Sequence, residues 1–213
     1  LLNRLMSMGL DQGWRRKAVA SLNVPENGRV LDLATGTADL AIRIARTHPT
    51  ATVVGIDPSE GMLNVGREKV AGLDLGARVD LQVGDAQFLN LEDDAFDGVT
   101  IAFGIRNVPD RVKALREMAR VVRPGGRIAV LELSAPKTGL TAMAVRFQIR
   151  FVVPIIGRLL SGATAYGYLR DSVEAFPPPD DFGATMESAG LRMVKTHRLG
   201  LGACALFVAE VPE

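Results

Sequence analysis

Two features of the chain have the residue types and spacing to hold a nucleoside: the turn Thr35-Gly36-Thr37-Ala38 and the acidic residue Asp57. A turn of small residues lets a ligand come close to the backbone. A helix starting beyond it offers unpaired N–H groups and the positive end of its dipole. An acid about 20 residues further on, at the end of a neighbouring parallel strand, accepts hydrogen bonds from ribose hydroxyls.

The dinucleotide fingerprint G-x-G-x-x-G does not fit, because the matching positions read Gly36, Ala38 and Ala41, and the glycine that admits a pyrophosphate is missing. The run from Asp32 to Ala38 fits better the D-x-G-x-G-x-G turn of S-adenosylmethionine (SAM) methyltransferases, with Ala34 and Ala38 in place of two glycines. Short glycine motifs recur by chance, so on this stretch alone a plain strand-turn-helix of any α/β protein is the alternative.

The elements that must position these residues follow from hydrophobic periodicity. A strand at Val30–Leu33 precedes the turn, and helical spacing follows from Thr37 to Arg46. A strand at 52–56 ends in Asp57, and a helix from Ser59 to Val70 carries Ser59 as its N-cap. Strands are expected at Ala77–Val83, ending at Gly84-Asp85-Ala86, and at Asp97–Ala102, leading into Phe103–Pro109. A helix from Asp110 to Val122 stops at a turn, Arg123-Pro124-Gly125-Gly126, before a strand at Arg127–Leu133. Such alternation implies a doubly wound parallel sheet. Its ligands sit at the carboxyl ends of the strands, where the turn after Asp32, Asp57, Asp85 and the loop after Ala102 all fall.

The chain's 213 residues, 47% hydrophobic and 23% charged, suit one domain over residues 1–213. A net charge of +1 gives no general field for nucleic acid, and none is expected as a partner. The lone Cys204 lies in an apolar run and reads as core, in keeping with a reducing cytosol. Leu1 in place of Met points to a fragment or trimmed chain, and no signal peptide is visible. His48 precedes the second strand and His197 ends a candidate strand, so both read as structural.

Residues 1–22 carry helical spacing with Trp14 beside Arg15, Arg16 and Lys17, read either as a helix packed across the sheet or as a lid over the cleft. Residues 137–179 break the rhythm. Leu140, Ala144, Phe147 and Phe151 form an apolar stripe, while Arg146, Arg150 and Arg158 keep the segment short of a membrane span. This insert is read as a cover for a greasy substrate or as a hairpin packed on the core. A helix from Asp180 to Ala189 and a terminal hairpin of Leu191–Thr196 and Ala203–Glu210 complete the chain.

Over nearly its whole length the chain resembles the UbiE/MenG C-methyltransferases of ubiquinone and menaquinone biosynthesis. The resemblance rests on Leu31–Asp39, Gly61-Met62-Leu63, Gly66–Lys69, Phe103–Pro109, Val121–Gly126 and Tyr166–Ser172. It implies the class I SAM-dependent methyltransferase (Rossmann-like) fold, with a mostly parallel seven-stranded sheet, a C-terminal antiparallel hairpin and a helical insert. It also implies SAM as cofactor, S-adenosylhomocysteine as product, and no metal. Cofactor contacts carry over to Asp32, Gly36, Thr37, Asp57 at the ribose, and Asp85-Ala86 near the adenine, where the family more often has Asn-Ala. Ala102 also carries over, although many members have Ser there, and Phe207 stands where many have His. The implied substrate is a polyprenylated quinol, demethylmenaquinol or its ubiquinone equivalent. The implied setting is cytoplasmic, in peripheral contact with the inner face of the membrane, and a homodimer is allowed.

The reaction does not demand a strong base, because an electron-rich quinol carbon attacks the sulfonium methyl directly. Arg106 and Tyr168 are expected to stabilise phenolate charge, with Asn107 orienting the ring. Removing Arg106 is expected to spare SAM affinity and melting temperature. The alternatives are methylation of another hydrophobic small molecule, a nicotinamide-dependent oxidoreductase, and a non-enzymatic SAM-binding scaffold. The second lacks its fingerprint glycine, and the third has no use for the Phe103–Pro109 loop.

Overall fold

The computed structural model describes residues 9–134, 167 and 171–213. Seven strands form one sheet: β1 (Arg29–Leu33), β2 (Thr52–Asp57), β3 (Val79–Val83), β4 (Phe96–Ala102), β5 (Val122–Leu133), β6 (Arg192–Leu199) and β7 (Cys204–Glu210). Their spatial order is β3-β2-β1-β4-β5-β7-β6. The first five run parallel, and β7 lies antiparallel between β5 and β6. Strand order reverses between β1 and β4, opening a crevice at their carboxyl ends.

Helices cover both faces, as a parallel sheet requires. On one side α1 (Asp11–Ala20), α2 (Asp39–Thr47) and α3 (Glu60–Ala71) bury Trp14, Leu40, Ile44 and Leu63 against Val30, Leu131 and Leu206. On the other, α4 (Arg111–Val121) and α5 (Pro179–Ser188) bury Leu115, Met118, Phe182 and Met186 against Leu31, Val99 and Ile128. Successive β1 side chains therefore feed opposite cores, Val30 one and Leu31 the other.

Local signals act where the sequence puts them. Ser59 caps α3 by accepting from Met62 N–H, and Asp110 caps α4 by accepting from Lys113 N–H at 2.9 Å. Three expectations are corrected. The helix after the first turn begins at Asp39 rather than Thr37, because Ala38, at φ 62°, cannot continue a right-handed helix. Arg123–Gly126 is not a separate turn but an irregular start to β5. Val122 pairs with Phe96, the register shifts, and Arg127 pairs with Gly98. Gly125 N–H bonds Val211 O at 2.9 Å, tying this bulge to the chain beyond β7. The last hairpin has a longer first strand, β6, with His197 inside it opposite Leu206.

The N-terminal helix is described only from Asp11. It packs Trp14, Ala18 and Val19 into the core while Asp11, Gln12 and Arg15 turn toward the cleft. The first part of the 1–22 reading and most of the 137–179 insert, Tyr168 included, lie outside the described residues. Among the described residues no helix is long and apolar enough to cross a membrane, and no cluster of His, Cys, Asp or Glu has metal-site geometry.

Candidate active site

The cleft, about 1280 Å³, lies at the carboxyl edge of β1, β2 and β4. Its floor is the turn after β1, where Ala34, Gly36 and Ala38 all have positive φ, at 49°, 57° and 62°. These are the positions at which the SAM motif has glycine. Alanine holds two of them, 34 and 38, at a cost in strain, which only the surrounding bonds can offset. Thr35 N–H bonds Ile56 O at 3.1 Å, and Ala38 N–H bonds Thr35 O at 3.0 Å. The loop after β4 closes on the same turn. Phe103 also has positive φ, 60°, and a Cβ on Gly104 would lie 2.3 Å from the Ala34 Cβ, so only glycine fits there.

Asp57 lines the cleft, and both its oxygens already hold the backbone. Oδ2 accepts from Gly36 N–H at 2.9 Å and Oδ1 from Ser59 N–H at 2.9 Å. Each oxygen keeps a lone pair for a ribose hydroxyl. Gly36, Thr37, Asp85, Ala86, Ala102 and Asn107 line the same cavity. Thr37 is fixed by Lys69, whose ammonium donates to its Oγ1 at 2.8 Å and its carbonyl at 3.1 Å. Asp85 accepts from Gln87 N–H at 2.8 Å.

Asp32 and Arg106 are not brought to the cavity wall. Asp32 is buried beneath the turn, accepting from Thr35 Oγ1 at 2.6 Å and Thr100 Oγ1 at 2.7 Å. It fixes Thr35, which lines the cleft. Burial outweighs these two bonds and raises its pKa from the usual 3.8 to about 6. The neutral form is therefore the one the fold prefers. Stability from this group is complete below about pH 3.8 and is lost as pH rises through about 6, costing about 3 kcal/mol once the carboxylate is ionised. Asp32→Asn should therefore gain stability relative to the parent by about that amount between pH 4 and pH 7.5. Urea unfolding at the two pH values measures it, and a pH-independent difference would refute the assignment.

Arg106 forms a buried ion pair with Glu132, Nη1 to Oε1 at 2.5 Å, with side-chain exposures of 7% and 0%. Nη1 also donates to Phe103 O at 2.8 Å, and Arg106 N–H donates to Glu132 Oε2 at 3.2 Å. Burial pushes the Glu132 carboxyl up against the opposing Arg106 charge and the Leu133 and Arg106 backbone N–H groups. The sequence reading missed Glu132, although a lone acid inside the apolar run Ile128–Leu133 signals a buried partner. It also missed Thr35 and Thr100 as partners of Asp32, and Arg43 in the cleft wall.

The residues set aside as structural lie away from the cleft lining. His48 follows α2, His197 lies within β6, and burial pushes the Cys204 thiol well above its usual range. Phe207, where many relatives of the resembled family have His, is fully buried edge-on against Phe182 at 4.9 Å.

The cleft suits SAM. The turn admits a backbone-close ligand, Asp57 and Asp85 supply acceptors at one end, and neither a phosphate cradle nor a third fingerprint glycine is present. Sheet order, turn and the acid ending β2 together define a class I SAM-dependent methyltransferase. A family-level comparison narrows this: the chain belongs to the ubiE/COQ5 methyltransferase family, whose model matches residues 1–210. Among its relatives is the ubiquinone/menaquinone biosynthesis C-methyltransferase UbiE of Geotalea daltonii, 45% identical over 98% of this chain and 89% of that protein. Another is the demethylmenaquinone methyltransferase of Thermus thermophilus, 45% identical over 100% of this chain and 96% of that protein. A solved SAM-dependent methyltransferase from Aquifex aeolicus shares the fold at TM-score 0.69 and 20% identity, over 92% of this chain and 89% of that one. The [4+2]-cyclase SpnF shares it at TM-score 0.72 and 17% identity, over 94% and 81%. Likeness at that level concerns architecture alone.

Proposed function

We propose that this chain methylates a ring carbon of a polyprenylated quinol, with demethylmenaquinol as substrate and menaquinol as product. The observation that carries the reading is one cleft in which the SAM turn and Asp57 meet the strained Phe103–Asn107 loop. The relative from Thermus thermophilus, a demethylmenaquinone methyltransferase, supports it. When bound, SAM supplies an electrophilic methyl group on a sulfonium and leaves as S-adenosylhomocysteine.

The chain's own residues bind and orient. Asp57 accepts hydrogen bonds from the ribose hydroxyls, and Asp85, flanked by Ala86, accepts from the adenine amino group. Thr37, Gly36 and Ala102 shape the wall, and Asp32 holds Thr35. At the substrate, a phenolic proton passes to water, and the negative charge left on the ring oxygen favours attack of the ring carbon on the methyl group as the methyl–sulfur bond breaks. The carbon then loses its own proton and the oxygen regains one, which restores the aromatic ring. The Arg106 guanidinium stabilises that oxygen. Its guanidinium lies behind the cleft wall, bound through Nη1 to Glu132 and Phe103, so it acts on that oxygen through the charge it places behind the Phe103–Asn107 loop. Asn107 orients the ring, and Tyr168 is the second residue assigned to stabilising the phenolate charge.

The 140–160 segment takes the isoprenoid tail and seats the protein peripherally on the cytoplasmic face of the membrane. Each buried CH₂ contributes about 0.8 kcal/mol, so KM should fall with tail length up to a limit. The test is methylation of demethylmenaquinols of graded tail length in vesicles, with labelled SAM and mass spectrometry of the lipid. A labelled menaquinol formed with tail-dependent KM supports the reading. Transfer to the ubiquinone precursor alone reassigns the substrate, and tail-independent kinetics without vesicle binding removes the tail role.

A further inference from the structure

Besides Asp57 and Asp85, the cleft is lined by Asp11, Gln12 and Arg15 of α1 and by Asp39, Arg43 and Arg46 of α2. Lys69, also nearby, is already committed to Thr37 and to Asp39 at 2.8 Å. The two inner arginines are not saturated in this way. Arg15 stands over the Phe103 ring at 5.2 Å, and its Nε lies 3.6 Å from Asp11 Oδ2, a charge contact too long for a hydrogen bond. Arg43 donates from Nη2 to Gln12 Oε1. The Nε of each is buried without a hydrogen-bond partner among the described residues.

Buried guanidinium N–H groups without acceptors are costly, and planar donors of this kind match a carboxylate. The cluster is also self-repelling. Burial, then the charges of Arg16 and Arg15, depress the Arg43 pKa against the pull of Asp11 and Asp39. An anion placed between the two arginines would relieve both penalties. The ligand whose nucleoside lies at the Asp57 end is SAM, and its opposite end is an α-amino acid.

We propose that Arg15 and Arg43 form a carboxylate subsite that holds the amino-acid end of the methyl donor. The inference rests on the assignment of the cleft to SAM and deepens it. Anchoring at both ends fixes where the sulfonium lies between them, so the subsite governs methyl position as well as affinity.

The experiment compares S-adenosylhomocysteine, which carries the carboxylate, with 5′-methylthioadenosine, which keeps nucleoside and thioether but lacks the amino acid. Calorimetry is run on the parent chain, Arg15→Met and Arg43→Met, which keep an apolar stem while removing the charge. Each variant should weaken S-adenosylhomocysteine on the order of 10- to 100-fold and leave methylthioadenosine unchanged. Equal losses for both ligands would mean that the arginines only shape the pocket, and unchanged affinity for both would mean that they hold nothing. Either overturns the subsite. A rise confined to the quinol KM, with S-adenosylhomocysteine affinity intact, overturns it in favour of a substrate oxyanion. If the parent bound neither nucleoside, the cofactor reading would fall, and the subsite with it.

Discussion

Arg106→Ala is expected to lower kcat by about 2.7 to 4 kcal/mol in barrier terms, the effect of deleting one oxyanion donor, and to lower stability as well. The second loss departs from the sequence-based expectation of an unchanged melting temperature. Arg106 is the charge partner of Glu132, which is fully buried, and breaking such a pair from one side costs about 3 to 5 kcal/mol. Glu132 already has a raised pKa, and losing Arg106 raises it further. Stability tied to a raised acid is complete at low pH and lost as pH climbs through the folded value, so the deficit should shrink on acidification and widen above neutrality. Arg106→Ala combined with Glu132→Gln separates the two roles: thermal scans should recover most of the stability while turnover stays low. Arg106→Lys should restore part of the rate, since a point charge cannot reproduce the planar fork. A fast but unstable Arg106→Ala would confine this residue to holding the loop and leave Tyr168 as the candidate for phenolate stabilisation.

Asp57→Ala should cost about 1.5 to 3 kcal/mol in SAM affinity from the lost charged acceptor alone. The full loss should be larger, because the same carboxylate anchors Gly36 N–H and Ser59 N–H. Without it the positive-φ turn loses a bond that offsets its strain. Asp57→Asn keeps one acceptor and should fall between the two. Calorimetry with SAM decides the matter: unchanged affinity in Asp57→Ala removes the ribose assignment, and tight NADH binding by the parent revives the oxidoreductase.

Much of this was readable from residue order because the signals are local. Ser59 and Asp110 are caps, and Gly36 follows the end of β1 while Asp57 ends the neighbouring β2, so spacing alone brings them to one edge. What escaped the sequence depends on contacts between distant segments. Nothing near Asp32 reveals that Thr100, on β4, will share its carboxylate, or that this pairing turns it below the cleft. Arg106 reads as a projecting cation until Glu132, on the adjacent strand, is seen to face it. Pro124 and the glycines after it spell a turn, yet pairing to Phe96 and the bond from Gly125 to Val211 draw that stretch into β5. Arg15 and Arg43 lie on different helices, and only helix packing makes them one wall.

The placement of β7 between β5 and β6 has a consequence for how the chain is made. Synthesis proceeds from the N-terminus at about 5 to 20 residues per second, so β5 leaves the ribosome well before Cys204–Glu210 exist. β6, though earlier than β7, pairs with β7 alone and cannot complete the sheet. Through that interval the apolar run Ile128–Leu133 presents an open row of backbone donors and acceptors to any neighbouring nascent chain. The hazard is greatest late in translation, and a pause or premature stop just ahead of residue 204 would leave a nearly finished enzyme with an adhesive edge.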